Sequence, residues 1–167
     1  FPQSWVLGYC FKPDDKWTFE ADLEWMDWST VQQEKIEFVS ETNATRLAVL
    51  NGGNPAPRDW HSALSFCLGG EYKMNEKWRV RGGYFFHKTP IPSANFDTAL
   101  PDSSSNTITT GIGYSINKNT TLDLAYAAMF FNKREILNTI GSSSGANING
   151  EYEQFTHVIL ATLSFKY

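Results

Sequence analysis

The chain is 167 residues long, 41% hydrophobic and 15% aromatic, with a net charge of −4 and a pI near 5.3. Its Lys and Arg are scattered among the acids, which excludes a nucleic-acid footprint. The longest apolar run, Leu124 to Phe131, is eight residues, which excludes a transmembrane helix of about 20.

Many aromatics, a mean hydropathy of −0.36 and no long apolar run are together what a transmembrane β-barrel produces, because hydropathy averages away across its two faces. Taken in chain order, residues 4–11 begin the series of alternating segments. No basic segment, apolar core and cleavage site precede them, so a mature chain or a fragment is expected. After the turn "KPDDK" comes the clearest pattern: Trp17, Phe19, Ala21, Leu23 and Trp25 share one parity, and Thr18, Glu20, Asp22 and Glu24 the other. That period of 2 predicts a strand with one apolar and one polar face. A split at "WSTVQ" would put the next long loop on the wrong side, so one strand over 17–38, bulged near Ser29, is expected.

The same sorting predicts strands over 60–73, 78–87, 107–116, 121–135 and 152–167. Leu64, Phe66, Leu68 and Tyr72 oppose Ala63, Ser65 and Glu71, and Trp78, Val80, Tyr84 and Phe86 oppose Arg79 and Arg81. Helix-period patterning is absent over any useful length, so the fold class is all-β: one segment over 1–167. The connections "KPDDK", "KMNEK" and "NKNT" are short, and 39–59, 88–106 and 136–151 are long, in strict alternation. Short turns on one side and long loops on the other is the layout of an outer-membrane barrel.

Alternation alone does not say which face is inside, but the aromatics do. Phe11 and Trp17, Tyr72 and Trp78, then Tyr114, Phe165 and Tyr167 ring the short-turn level on the apolar parity, as lipid headgroups require. The apolar face therefore meets lipid, and the polar face lines the lumen. Seven antiparallel strands leave two unsatisfied edges and start the first strand outside, whereas a complete single-chain bacterial barrel has an even count. The chain is expected to be the C-terminal part of a longer barrel.

On the lumen face, Glu20, Asp22 and Glu24 with Arg79 and Arg81 suggest a charge lattice. Met26, Trp28, Phe85, Met129 and Phe131 fall on inward parity near the long loops, where apolar patches favour uptake of hydrophobic molecules over a general porin or a structural barrel. Cys10 and Cys67 lie two strands apart, roughly 10 Å at about 4.8 Å per strand, beyond the ~7 Å that a bridge tolerates. His61, His87 and His157 share no metal-like spacing, and no metal or cofactor is expected. "GSSSG" at Gly141 to Gly145 matches a nucleophile elbow in letters but lacks the strand-to-helix setting, so no enzyme is expected.

"FPQSWVLGYCFKPDDKWTFEADLEWMDWSTVQQEKIEF", "LGGEYKMNEKWRVRGGYFF", "KTPIP", "LPD", "GIGYSINKNTTLDLAYA" and the terminal "SFKY" follow in an order that resembles the FadL/TodX family of outer-membrane long-chain fatty acid transporters. The resemblance implies a fourteen-stranded barrel plugged by an N-terminal hatch. The seven strands here would be its second half, with hatch and earlier strands upstream. It implies a monomer in Gram-negative outer-membrane lipid that takes up hydrophobic molecules, long-chain fatty acids first among them. Arg81 aligns with a basic position of the family. A lysine that holds the ligand carboxylate in one member falls where this chain has Ala56 and, two residues on, Arg58, the best local candidate to meet an anionic headgroup. Family members continue Pro-Asp with an acid and an arginine, whereas Pro101 and Asp102 here run into "SSSN".

Overall fold

The computed structural model describes residues 2–142, 145 and 147–166. In chain order the elements are β1 (Ser4–Phe11), β2 (Trp17–Met26), β3 (Gln33–Glu34), α1 (Ala44–Leu50), β4 (Ala56–Pro57), β5 (Ala63–Lys73) and β6 (Trp78–His87). There follow β7 (Ser105–Asn117), β8 (Thr120–Phe131), β9 (Arg134–Ile136), β10 (Gly150–Tyr152) and β11 (Phe155–Phe165). Seven of these form one antiparallel sheet in the order β1-β2-β5-β6-β7-β8-β11, while β3 with β4 and β9 with β10 make two small sheets in the long loops. Strands β1 and β11 are the edges, unpaired with each other among the described residues.

The short turns share one device. Asp14 Oδ1 accepts from the backbone N–H groups of Lys16 and Trp17, both at 2.8 Å, and Asn75 Oδ1 accepts from those of Lys77 and Trp78 at 2.8 and 2.9 Å. Asn117 Oδ1 does the same for Asn119 N–H at 2.8 Å. Asp and Asn at these positions mimic a backbone turn with their side chains, which is why such short polar sequences reverse a strand.

Register carries the parity of β2 across the sheet. Leu23 opposes Leu7 on one side and Phe66 on the other, Phe66 opposes Phe86, and further on Ile112 opposes Leu124. One face thus holds Trp5, Trp17, Trp25, Leu68, Trp78, Ile108, Leu124, Ile159 and their like, and it is bare: Leu7 is 73% exposed and Ile159 80%. A water-soluble sheet would bury that face; a membrane sheet leaves it for lipid. At the short-turn end Trp17 packs on Tyr72 and Trp78 on Tyr114, each pair at 4.5 Å between ring centres, forming a girdle of cross-strand pairs. Tyr167, expected in that girdle, lies outside the described residues. The opposite face is polar and concave, enclosing a hollow of about 730 Å³ that runs from Glu20 and Asp22 on β2 to Leu160 and Thr162 on β11. The fully buried apolar side chains Phe96 and Ile136 are in the long loops, so the apolar core sits above the sheet rather than against it.

Expected boundaries at the long-loop end are corrected, and the strand expected from Trp60 begins at Ala63. Strand β2 stops at Met26 instead of running to Phe38, because its partner β5 begins at Ala63, opposite Met26. Beyond it, Asp27 caps a 3₁₀ turn over Trp28–Thr30, and Gln32 turns its carbonyl to the N–H groups of Arg58 and Asp59. The alternation of short and long connections survives, since the chain still returns on the long-loop side. Strand β8 ends at Phe131 instead of Glu135, and β11 begins at Phe155 instead of Tyr152, because β9 and β10 pair with each other. The first long loop also holds α1, seven residues capped by Asn43, whose Oδ1 accepts from Thr45 and Arg46 N–H.

Candidate functional site

On the concave face the charges meet through glycine. Glu71 on β5 stands opposite Arg81 on β6, and Arg81 stands opposite Gly111 on β7. With no side chain at Gly111 or Gly113 in the way, the guanidinium crosses β7. Its Nε lies 2.7 Å from Glu71 Oε2 and its Nη1 2.6 Å from Asp123 Oδ1 on β8. Arg79 approaches Glu71 at 3.8 Å. A Cβ at Gly113 would fall 2.6 Å from Asp123 Oδ1 and 3.4 Å from both terminal nitrogens of Arg81. Glu20 and Asp22 line the same hollow, and Glu24 stands opposite Ser65, but none of the three has an ion pair among the described residues. Glu20 faces Gly69, which faces Gly83, so the neighbouring lane carries no base. The lattice therefore runs through Glu71 and Asp123, which parity places on the polar face but which only register joins to Arg81.

The inward apolar residues are spread over four places. Phe85, Thr107 and Met129 form one cross-strand row on the concave face, and Thr107 Oγ1 is buried there with no hydrogen-bond partner among the described residues. Phe131 lines a small cavity of about 70 Å³ with Phe96, Arg134 and Tyr152. Met26 ends β2 opposite Ser4 and Ala63. Trp28 meets Trp60 edge to face, ring centres 5.3 Å apart, and the two form one wall of an apolar cavity of about 360 Å³. Pro90, Ile91, Ala99, Leu100 and Pro101 complete it, and His87 and Asp102 are its polar members.

Arg58 is neither in that cavity nor free in solvent. It is buried, 9% exposed, with Nε 3.1 Å from Glu34 Oε2, Nη2 paired to the same oxygen and Nη1 3.2 Å from Asp97 Oδ2. The hydrogen bond to Glu34 raises its pKa, against the effect of burial. Both edges of the guanidinium are committed, and the geometry makes Arg58 a clasp between two long loops.

Sequence reasoning passed over Asp102 and Arg134. Asp102 Oδ2 accepts from Thr89 Oγ1 at 2.5 Å and faces His87 Nε2 at 3.5 Å. Burial pushes the Asp102 carboxyl up, but hydrogen bonds from His87 and Thr89 outweigh it and hold the group below the usual carboxylate range. Arg134 donates to the carbonyls of Asp102 at 2.6 Å and Ile91 at 2.9 Å and to Ser93 Oγ at 3.1 Å, with Phe96 beneath it at 5.1 Å. Burial lowers its pKa. The departure of "LPDSSSN" from the family pattern was the one local signal pointing to Asp102.

Of the remaining expectations, Cys10 and Cys67 are both free thiols. His157 is on the lipid face, its Nδ1 2.6 Å from Tyr126 Oη, while His87 ends β6 and His61 precedes β5. Ser143 and Ser144 of "GSSSG" lie outside the described residues.

The family model described as outer membrane protein transport protein (OMPP1/FadL/TodX) matches residues 1–167. An outer membrane protein of Neisseria meningitidis serogroup B is 27% identical over 132 residues, 78% of this chain and 28% of that protein. The long-chain fatty acid transport protein of Escherichia coli K12 is 25% identical over 128 residues, 77% of this chain and 27% of that one. The crystal structure of a Pseudomonas aeruginosa FadL homologue superposes with a TM-score of 0.80 at 20% identity, over 98% of this chain and 35% of that one. The chain thus spans under a third of the length of the curated relatives it matches.

Proposed function

This chain belongs to the outer membrane protein transport family OMPP1/FadL/TodX, and from that premise we propose that the complete protein takes up hydrophobic molecules across the outer membrane. The observation that carries the reading is the cavity walled by Trp28 and Trp60, open at the long-loop end above the polar lumen. A molecule that buries ~200 Å² of apolar surface there gains about 5 kcal/mol before the cost of association. That suits capture followed by release. Long-chain fatty acids are the first substrate suggested by the names of the relatives; the committed guanidinium of Arg58 argues against its serving as their headgroup site.

The test uses the complete barrel. Binding of a hydrocarbon and of a fatty acid of equal length is followed by tryptophan fluorescence in the parent and in Trp28→Ala. The variant is expected to lose about tenfold in affinity for both, ~1.4 kcal/mol. Free passage of small sugars through protein-loaded vesicles, with no apolar binding, would instead identify a general porin.

A further inference from the structure

We infer that the Trp28–Trp60 cavity selects an apolar molecule ending in a neutral hydroxyl over one ending in a carboxylate, with the Asp102 side chain as the selecting group. The inference rests on the reading of this cavity as the capture site. The charges around the cavity carry it. Among the described residues, none that lines it is a Lys or an Arg. Arg58 spends its guanidinium on Glu34 and Asp97, and Arg134 spends its own on two backbone carbonyls and Ser93 Oγ. The polar lining is His87 and Asp102, whose Nε2 and Oδ2 stand 3.5 Å apart, at the outer limit for a hydrogen bond.

An incoming carboxylate would face an existing carboxylate beside an apolar wall, where like charges repel. A hydroxyl has a proton to donate, and Asp102 is an acceptor. An ammonium would also meet Asp102 favourably, but it would lose more hydration than a neutral hydroxyl on entering a wall of Trp, Ile, Leu and Pro. The tryptophans hold the apolar body, and Asp102 reads the end of it.

The probes are 1-decanol, decanoate and decane, each titrated near pH 7 against the complete barrel in detergent, with tryptophan fluorescence as readout and decane as the reference. Decanol is expected to bind about tenfold more tightly than decanoate in the parent. Asp102→Asn should close that ratio to within about threefold, while Asp102→Glu, which keeps the charge, should retain it. Heat-modifiable mobility on gels shows that each variant is a folded barrel, and the parent ratio stands whether or not a variant folds. Decanoate binding as tightly as decanol in the parent overturns the inference, and Arg134 then becomes the headgroup cation to examine. An unchanged ratio in a folded Asp102→Asn barrel overturns it too. Failure of all three probes to bind removes the capture site itself, and is distinguished from the other failures because decane carries no headgroup.

Discussion

Arg81 on β6 reaches past the whole of β7 to place its Nη1 2.6 Å from Asp123 Oδ1 on β8. The crossing is possible because the two β7 residues beneath it are Gly111 and Gly113. It ties three strands, β5, β6 and β8, through one side chain on the face that is closed to lipid.

The first prediction follows from that path. Gly113→Ala puts a Cβ 2.6 Å from Asp123 Oδ1, so the carboxylate must shift from its present contact with Arg81; Gly69, on the same face, has nothing among the described residues within 4 Å of an added Cβ. Gly113→Ala should cost about 1–3 kcal/mol of unfolding free energy and Gly69→Ala close to none, measured by urea unfolding of the complete barrel in lipid. Equal costs would show that the crossing contributes nothing.

Arg58 gives the second. With Glu34 and Asp97 as its partners, Arg58→Ala leaves two carboxylates without their cation and frees the loops they anchor. Limited proteolysis should cut residues 31–60 and 88–104 faster, and affinities for a fatty acid and a hydrocarbon of equal length should fall by the same factor. A loss confined to the fatty acid would return Arg58 to the headgroup role.

Asp102 sets a pH window. Its folded pKa lies below the ordinary carboxylate value of about 3.9. A depressed pKa contributes stability that is fully present above the unfolded value and is lost as pH falls through the folded one. The anchoring of 88–104 by Thr89 and His87 should therefore hold from neutrality down to about pH 4 and loosen only in stronger acid. Tryptophan fluorescence of Trp28 and Trp60 against pH reads it directly, and Asp102→Asn should flatten the acid limb.

The girdle can be located by lipid quenching. Trp17 and Trp78, at the short-turn level of the lipid face, should be quenched more by bromine near the headgroups than by bromine deep in the acyl chains. Trp28 and Trp60 stand beyond the sheet and should respond to neither. Single-tryptophan variants in brominated vesicles distinguish the two classes, and deep quenching of Trp17 would misplace the membrane boundary.

Strands and faces were legible because alternation is a local property: each step from Trp17 to Trp25 turns the side chain over, and nothing distant can change that. The Asx turns at Asp14 and Asn75 are equally local, so where the strands reverse, which face meets lipid and the place of the aromatic girdle all followed from neighbouring residues. Partners across the sheet are another matter. That Glu71 and Asp123 take Arg81, while Glu20, Asp22 and Glu24 do not, depends on the register of β5, β6, β7 and β8 and on the two glycines of β7 that Arg81 crosses. The long loops are further still from local control. Arg58 finds its partners 24 and 39 residues away, and β2 stops at Met26 because its ladders with β1 and β5 both end there. Loop contacts have no period to read, since each is set by which side chains the folded sheet brings within reach, and so the meeting of Trp28 with Trp60 and of both with Asp102 was decided by tertiary structure.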